Sequence, residues 1–145
     1  MRLNIAQEYC DHALFAAVYT SEQEKHLELV RLLLDYADPM YDDSGALQWA
    51  AKNNCPKMVA LLLPRSNPKA DNSTALQWAL ANHNEELIDL LYPLSDIEAA
   101  INGLHKSQLS DLAQDLQQYH TMKEEQRILS EVTVDKGTTP LNKKM

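Results

Sequence analysis

Apolar residues in the middle of the chain fall into short clusters at helical spacing, and polar turns separate the clusters. Within residues 76–80 the apolar positions share one face of a helix, and residues 87–91 form the apolar side of a second helix. Asn84 is placed to cap the second helix. Thr74, three residues before Gln77, predicts a capping box at the start of the first. The pattern therefore predicts two short helices joined by a tight turn.

This helix pair is repeated along the chain. The sequence ALQWA at 46–50 recurs at 75–79, a shift of 29 residues, whereas residues 13–16 precede 46–49 by 33. The longer spacing in the first unit predicts an insertion near residues 20–24. The chain then divides into three units, at about 11–39, 43–68 and 72–94. Because one helix pair cannot bury its own apolar face, we expect the units to stack side by side.

These residues resemble the ankyrin repeat, whose pattern is roughly T-P-L-H-x-A-A-x-x-G-H-x-E-V-V-x-L-L-L. Residues 45–48 (GALQ) and 74–77 (TALQ) stand at the T-P-L-H position, and residues 58–63 (MVALLL) match the second helix. Asn54 and His83 occupy the glycine position of the family, where the backbone usually turns left-handed. The resemblance implies an all-α, ankyrin-type helix-turn-helix solenoid.

The resemblance covers about residues 11–95 and departs from the family in one respect. The usual ankyrin repeat has about 33 residues, and the shift here is 29. The missing residues lie between the second helix and the next unit, where ankyrin proteins usually project a β-hairpin finger. Residues 64–72 (PRSNPKADN) are too short and proline-rich for a hairpin, so we expect shortened fingers and little or no β structure. The chain is similar in this to compact bacterial ankyrin proteins.

The sequence after the third unit predicts two more helices, at 97–102 and 107–131, with Gly103 ending the first. The second carries a stripe at helical spacing, made of Leu109, Leu112, Leu116 and Tyr119. The stripe suits a helical cap (96–131) that covers the open end of the solenoid, or alternatively a helix that docks a partner. We expect a single domain over 1–131 and a disordered polar tail over 132–145.

Charge and composition narrow the class of partner. The net charge of the 145 residues is −8, and residues 1–50 hold nine acids against three bases. An acidic surface repels phosphate groups, which argues against nucleic acid and anionic membranes as partners. We expect a cytoplasmic protein, because the two cysteines, Cys10 and Cys55, lie far apart and no apolar run reaches the length of a membrane span or a signal peptide.

No catalytic or cofactor-binding pattern is present in the sequence. The five histidines lack the spacing of metal ligands, and no glycine-rich phosphate loop occurs. Cys10 and His12 could form a thiol–imidazole dyad, but a buried thiol beside a polar histidine explains them as well. We therefore expect no enzyme activity, no catalytic residues, no metal and no cofactor.

The most distinctive polar segment is residues 35–43 (DYADPMYDD), with four acids and two tyrosines on a connecting loop. Carboxylates beside tyrosines suit a cationic protein surface, because the rings supply rigid contact area and the acids pair with lysine or arginine. The alternative is a solvated loop whose acids cap helices. The candidate partner-binding residues in this segment are Tyr36, Asp38, Tyr41, Asp42 and Asp43.

A second group of candidates lies on the predicted inner helices. Trp49 and Trp78 are equivalent positions and should be neighbours, either as interface anchors or as a packed ladder in the core. Lys52, Asn53 and Asn82 correspond to variable, exposed positions of ankyrin inner helices, which makes them candidates for the concave face.

The sequence thus predicts a protein-binding module for a basic partner. Some compact bacterial ankyrin proteins are immunity proteins, and this resemblance implies an inhibitor that occludes the active site of a cationic toxin, acting as a monomer. The alternative is an adaptor or effector that binds a regulatory or host protein, with dimerisation through residues 107–131 as one form of it.

Overall fold

The computed structural model describes the backbone of residues 2–19 and 26–143 and the side chains of residues 9–18 and 26–132. The described residues form eight α-helices and no strand, as the resemblance implies. The predicted insertion at 20–24 lies outside the described residues. The helices are α1 (Arg2–Tyr19), α2 (Leu27–Leu33), α3 (Tyr41–Lys52), α4 (Pro56–Leu62), α5 (Ala70–Ala81), α6 (Glu85–Leu91), α7 (Ile97–Lys106) and α8 (Ser110–Lys143).

The helices form two stacked layers with the apolar core between them. Helices α1, α3, α5 and α7 pack one against the next as the inner layer, and α2, α4 and α6 form the outer layer. Each inner helix also packs against the outer helix that follows it, so neighbouring pairs bury the faces that a single pair would expose. The predicted stack of helix pairs is confirmed. The largest fully buried side chains include Leu14, Leu47, Met58, Leu62, Leu76, Leu87, Leu91, Leu104 and Leu116.

The turn inside each helix pair is the same in three places along the chain. Asn54, His83 and Gln108 have left-handed backbones, with φ of 59°, 52° and 61°. The amide of the following residue then donates to a carbonyl five positions back, at N···O distances of 3.0, 3.2 and 2.8 Å: Cys55 to Ala50, Asn84 to Ala79, and Leu109 to Leu104. The left-handed turn predicted for Asn54 and His83 is confirmed, and α7 with α8 repeats it.

Local sequence signals bound the outer helices as expected. Pro56 is the first residue of α4, where its missing N–H leaves no hydrogen bond unmade. Asn84 caps α6, since its Oδ1 accepts the Leu87 amide at 3.1 Å. Pro64 and Pro93 follow α4 and α6 within single 3-10 turns, so neither helix continues.

The prediction that Gly103 ends a helix is wrong. Helix α7 runs through it to Lys106, and α8 begins at Ser110. Gly103 is buried, and a Cβ atom built on it would lie 2.5 Å from Nε2 of Gln77 on the neighbouring inner helix. The glycine therefore serves close packing between α5 and α7 rather than helix termination, which the sequence alone could not distinguish.

Helix α8 has a packed half and an exposed half. Ala113 and Leu116 are fully buried against the solenoid and Leu112 is half-buried, whereas Leu109 is 44% exposed. His120 still contacts the solenoid, with its Nδ1 2.6 Å from the Tyr92 hydroxyl. All side chains of residues 125–132 are exposed, among them Ile128, Leu129 and Val132, and Met122 is 43% exposed nearer the packed half. The backbone of α8 continues as helix to Lys143, across the segment for which the composition predicts disorder. Side chains from residue 133 on lie outside the described part of the chain, and the disordered tail stays a prediction.

Candidate binding groove on the inner helices

The chain enters the inner helices α3 and α5 through a short left-handed turn. Three consecutive residues in each have positive φ between 49° and 60°: Asp42, Asp43 and Ser44, then Asp71, Asn72 and Ser73. Left-handed backbone is costly for most residues, and Asp and Asn tolerate it best because their short polar side chains bond locally. Positions 42 and 71 are related by the 29-residue shift. The same turn therefore recurs in neighbouring units and places its residues on the same face of the stack.

Glutamine side chains hold these turns in place. Nε2 of Gln48 donates to the Asp43 carbonyl at 2.9 Å, and Nε2 of Gln77 donates to the Asn72 carbonyl at 2.8 Å. The predicted capping box at Thr74 is therefore wrong: Gln77 bonds the left-handed turn, and the Thr74 hydroxyl donates to the Asp71 carbonyl. The glutamine of each ALQWA segment thus anchors the carboxylate-bearing turn before it.

A second set of hydrogen bonds joins the start of each unit to the loop that follows its outer helix. Oγ of Ser44 accepts the Asn67 amide at 2.8 Å, and Oγ of Ser73 accepts the Asp96 amide at 2.9 Å. In the first unit the buried carboxylate of Asp11 takes this role and accepts the Asp38 amide at 2.6 Å. Because these acceptors are buried, the bonds fix the shortened fingers relative to the inner helices.

The turns open onto a groove of about 330 Å³ between α1, α3 and α5. Three aromatic rings line it: Phe15, Trp49 and Trp78. Three carboxylates also line it: Asp42, Asp43 and Asp71. No ion pair within the described residues uses any of these three acids. The groove therefore combines apolar rings with negative charge that the described part of the chain leaves without a basic partner.

Among the described residues, Lys52 is the one cation in the lining of this groove. Its Nζ lies 4.5 Å from the ring centroid of Trp49 and 5.0 Å from that of Trp78. Both distances are within the range of a cation–π interaction. The ammonium group is therefore held between the two indoles, and the side chain as a whole is exposed.

The packing alternative for the tryptophans is confirmed in part, and their use as interface anchors stays a prediction. Trp49 and Trp78 are half-buried, pack against the core, and also line the groove. The Phe15 ring meets the Trp49 ring edge-on, with centroids 6.3 Å apart and an interplanar angle of 86°. Gly45 allows this approach, since a Cβ atom there would lie 2.9 Å from the Phe15 ring. The rings are thus fixed by packing before any partner arrives.

The loop candidates form a separate group. Tyr36 and Asp38 line a shallow depression of about 500 Å³ with Met40 and Arg65, and Tyr36 is 71% exposed. The Asp38 carboxylate accepts the Met40 amide at 2.9 Å, a bond within its own loop and not a helix cap, and its role in partner binding stays a prediction. Nη1 of Arg65 donates to the Leu34 carbonyl and keeps the guanidinium on the loop.

The remaining candidates differ in accessibility. The Tyr41 hydroxyl lies 3.2 Å from Nε2 of His12. His12 is the residue that the dyad hypothesis paired with Cys10, and its ring is therefore engaged by Tyr41. Nδ2 of Asn82 donates to the Ala51 carbonyl at 2.9 Å, so this amide is committed to joining α5 to α3. Asn53 is exposed at the end of α3 but does not line the groove.

Sequence reasoning missed four residues of the groove lining, Phe15, Gly45, Gln48 and Asp71. A signal was available for Asp71, because it is the position of Asp42 shifted by 29 residues. Phe15 precedes Gln48 by the 33-residue spacing of the first unit, so the repeat register would have placed it on the same face. The tryptophan candidates were chosen at equivalent positions of two units, but the acidic candidates came from one loop, so the equivalent acid of the next unit, Asp71, was left out.

Residues 9–18 and 26–132 contain no group of three or more histidine, cysteine, aspartate or glutamate side chains arranged to hold a metal ion. Burial raises the pKa of the Cys55 thiol, which lowers its fraction of reactive thiolate. Among the described helices, none has both the length and the apolar character needed to cross a membrane.

Comparison with known protein families agrees with the architecture. A family model for ankyrin repeats, in three copies, matches residues 14–103. The chain therefore belongs to the ankyrin-repeat family, and the match reaches into α7, beyond the three units expected from the sequence. Members of the family act as protein–protein interaction modules. Searches of curated proteins and of solved structures gave no significant match.

Proposed function

We propose that this ankyrin-repeat protein binds a basic partner protein through the groove between α1, α3 and α5. The observation that carries the proposal is the groove's composition, with two half-buried tryptophans beside the carboxylates of Asp42, Asp43 and Asp71. Tryptophan is a favoured interface anchor, because a rigid ring buries a large area at little entropic cost. The rings would supply affinity and the acids selectivity for positive charge.

The charge distribution supports the same partner class. The acids in excess are concentrated in residues 1–50, and the groove and the finger loop both draw acids from residues 35–43. Negative potential focused over one face accelerates association with a cationic surface and rejects anionic competitors. Tyr36 and Tyr41 lie on the same connecting segment and would extend the contact beyond the groove.

A narrower form of the proposal is an inhibitor of a cationic toxin in the cytoplasm. A monomer whose acidic groove covers the basic active site of its target would act by occlusion, with carboxylates in the place of phosphate groups. This form requires no chemistry of its own from the ankyrin-repeat protein. It predicts a one-to-one complex in which the activity of the target is lost.

Affinity capture with a matched pair of variants tests the proposal. The groove variant carries Asp42→Asn, Asp43→Asn and Asp71→Asn. The control carries Glu85→Gln, Glu86→Gln and Glu98→Gln, an equal loss of charge at exposed positions outside the groove. Proteins retained from an extract of the native source by the wild type and the control, but not by the groove variant, are the expected partners.

The purified partner then decides the matter by titration calorimetry. We expect the groove variant to bind at least tenfold more weakly than the wild type, since three charge contacts are each worth a fraction of a kcal/mol to more than 1 kcal/mol at an interface. The control should bind within about threefold of wild type. Equal binding by the groove variant, or an acidic contact surface on the partner, would contradict the proposal.

A second candidate function rests on the exposed half of α8. Met122, Ile128, Leu129 and Val132 are exposed on this helix, the last three in a stretch whose side chains are all exposed. Exposed apolar side chains at helical spacing suit a dimer or a docked partner helix, as in an adaptor. Light scattering after size exclusion would detect the dimer, and Leu129→Glu should dissociate it. A monomer at all concentrations would leave the groove as the proposed site.

A further inference from the structure

The groove already contains a cation, supplied by the chain itself. The Lys52 ammonium lies between the Trp49 and Trp78 rings, and the ion pairs of the described residues do not include it. Its side chain is exposed, so the rings hold it in competition with water. The site between the indoles is thus able to accept a positive group and holds the present one weakly.

We infer that this groove is a subsite for an arginine side chain of the partner, and that Lys52 is a resident cation that the incoming guanidinium displaces. This inference rests on the proposed function, whose partner it specifies. The incoming group would take the position between Trp49 and Trp78, with Asp42 and Asp71 within the same groove to receive its N–H donors. Lys52 is free to swing towards solvent.

Arginine fits this groove better than lysine for two physical reasons. A planar guanidinium stacks flat on an indole, which a tetrahedral ammonium cannot do, and it is less strongly hydrated when it leaves water. It also presents five donors in a fixed fork, so one group can stack on a ring and bond a carboxylate at once. The groove suits both properties, because its rings offer a surface for stacking and Asp42, Asp43 and Asp71 offer acceptors for the donors.

The fourth helix pair supplies an internal contrast. Alignment on the shared turn, in which Ala50, Ala79 and Leu104 accept the same backbone bond, places Lys106 at the position of Lys52 and Gly103 at that of Trp78. Lys106 is exposed and has no indole at the equivalent position beside it. The cation site therefore depends on the tryptophans and not on the ankyrin scaffold.

The chain reports on this groove directly, because its only two tryptophans both line it. We would follow the two indole N–H signals by NMR and the tryptophan fluorescence while adding acetylated, amidated hexa-arginine to the full chain at about 150 mM salt. The variants are Lys52→Gln, which removes the ammonium group from the two indoles, and Lys106→Gln, which makes the same charge change at the equivalent position without them.

We expect both indole signals to shift, and Lys52→Gln to bind hexa-arginine about three- to tenfold more tightly than the wild type. Lys106→Gln should change the affinity less than about twofold. Hexa-lysine should bind more weakly than hexa-arginine to Lys52→Gln. An exposed lysine at the end of a helix should tolerate glutamine without loss of folding, which the dispersion of the NMR spectrum checks.

The inference is overturned if the indole signals do not move, if Lys52→Gln binds no more tightly than Lys106→Gln, or if hexa-lysine binds as well as hexa-arginine. These failures are distinguishable from failure of the proposed function. A partner lost on removal of Asp42, Asp43 and Asp71, with no gain from Lys52→Gln, would keep the groove as the interface without an arginine between its rings.

Discussion

The open groove at α3 and α5 and the closed end of the solenoid at α7 are built on the same backbone turn. In both regions a left-handed residue is followed by an amide that bonds the carbonyl five positions back. Yet α3 and α5 carry Trp49 and Trp78, whereas α7 carries Gly103 at the equivalent position. The two regions therefore share this turn and differ in the side chains around it, with tryptophan in one and glycine in the other at the position before the acceptor carbonyl.

This difference shows how the size of one side chain decides whether neighbouring inner helices leave a groove between them or pack closely. A tryptophan is too large to be buried between neighbouring inner helices, so its ring lines the surface and leaves a groove beside it. Glycine lets α7 approach α5 until the Gln77 side chain fills the space of a Cβ atom. The inner helices α1, α3 and α5 therefore leave a groove lined by aromatic rings, whereas α7 and the buried residues of α8 cover the opposite end of the solenoid.

The largest effect is expected from breaking the closed end. Leu104 is fully buried at the position that Ala79 has in the groove region. Leu104→Ala should lower the free energy of unfolding by about 2–5 kcal/mol, because it removes apolar burial and leaves a cavity. Urea unfolding followed by circular dichroism measures this, and Leu94→Ala, at an exposed site, should cost less than about 0.5 kcal/mol. Equal costs at the two sites would refute the buried closure.

The contact between Gly103 and Gln77 is the next test. Gly103→Ala should cost about 1 kcal/mol in the wild type, because overpacking against Gln77 exceeds the gain in helix propensity. In the Gln77→Ala background the same change should instead stabilise by about 0.5–1 kcal/mol. A double-mutant cycle measures the reversal. The same cost in both backgrounds would show that Gln77 is not the reason for the glycine.

Helix caps compare the two regions at a smaller scale. Asn84 caps α6 in the groove region and Asp96 caps α7 at the closed end, where it accepts the Ala99 amide at 3.0 Å. Asn84→Ala and Asp96→Ala should each cost about 1 kcal/mol of unfolding free energy. Thermal or urea denaturation of both, with the exposed Asn53→Ala as a neutral control, checks the values. A cost near zero for either would mean that its cap bond contributes nothing.

The smallest expected effect is a pH dependence of stability that arises from Cys55. This residue is equivalent to Asn84 and Leu109, because each of the three follows the left-handed residue of its turn. Burial raises the pKa of this thiol above its ordinary value of 9.0. The unfolded thiol therefore ionises first, so the contribution to stability is present below pH 9 and is lost as the pH rises further. Between pH 7.5 and 9.5 the wild type should lose somewhat more stability than Cys55→Ala, by less than about 1 kcal/mol. A larger loss of stability in Cys55→Ala than in the wild type would show that the Cys55 thiol is not the source of the pH dependence.

Much of the fold could be predicted because its signals are local. The ALQWA repeats, the prolines after the outer helices and the Asn54 and His83 turns each act within a few residues, where propensity and hydrogen bonding decide the backbone. The turn before α5 could not be predicted in the same way. Its left-handed triplet is stabilised by Gln77 and by a bond from Asp96 to Ser73, and the second of these depends on the next unit being in place.

In the candidate site, too, the sequence determined some features and the tertiary structure decided the others. The sequence determined that Trp49 and Trp78 are equivalent and that the acids are concentrated early in the chain, because spacing and charge are properties of the chain itself. Only the tertiary structure decided that Asp71 lies in the same groove as Asp42, that Asn82 is committed to a neighbouring helix, and that Lys52 lies between two indoles. Each of these contacts joins residues of different units, and such residues come together only when the units stack.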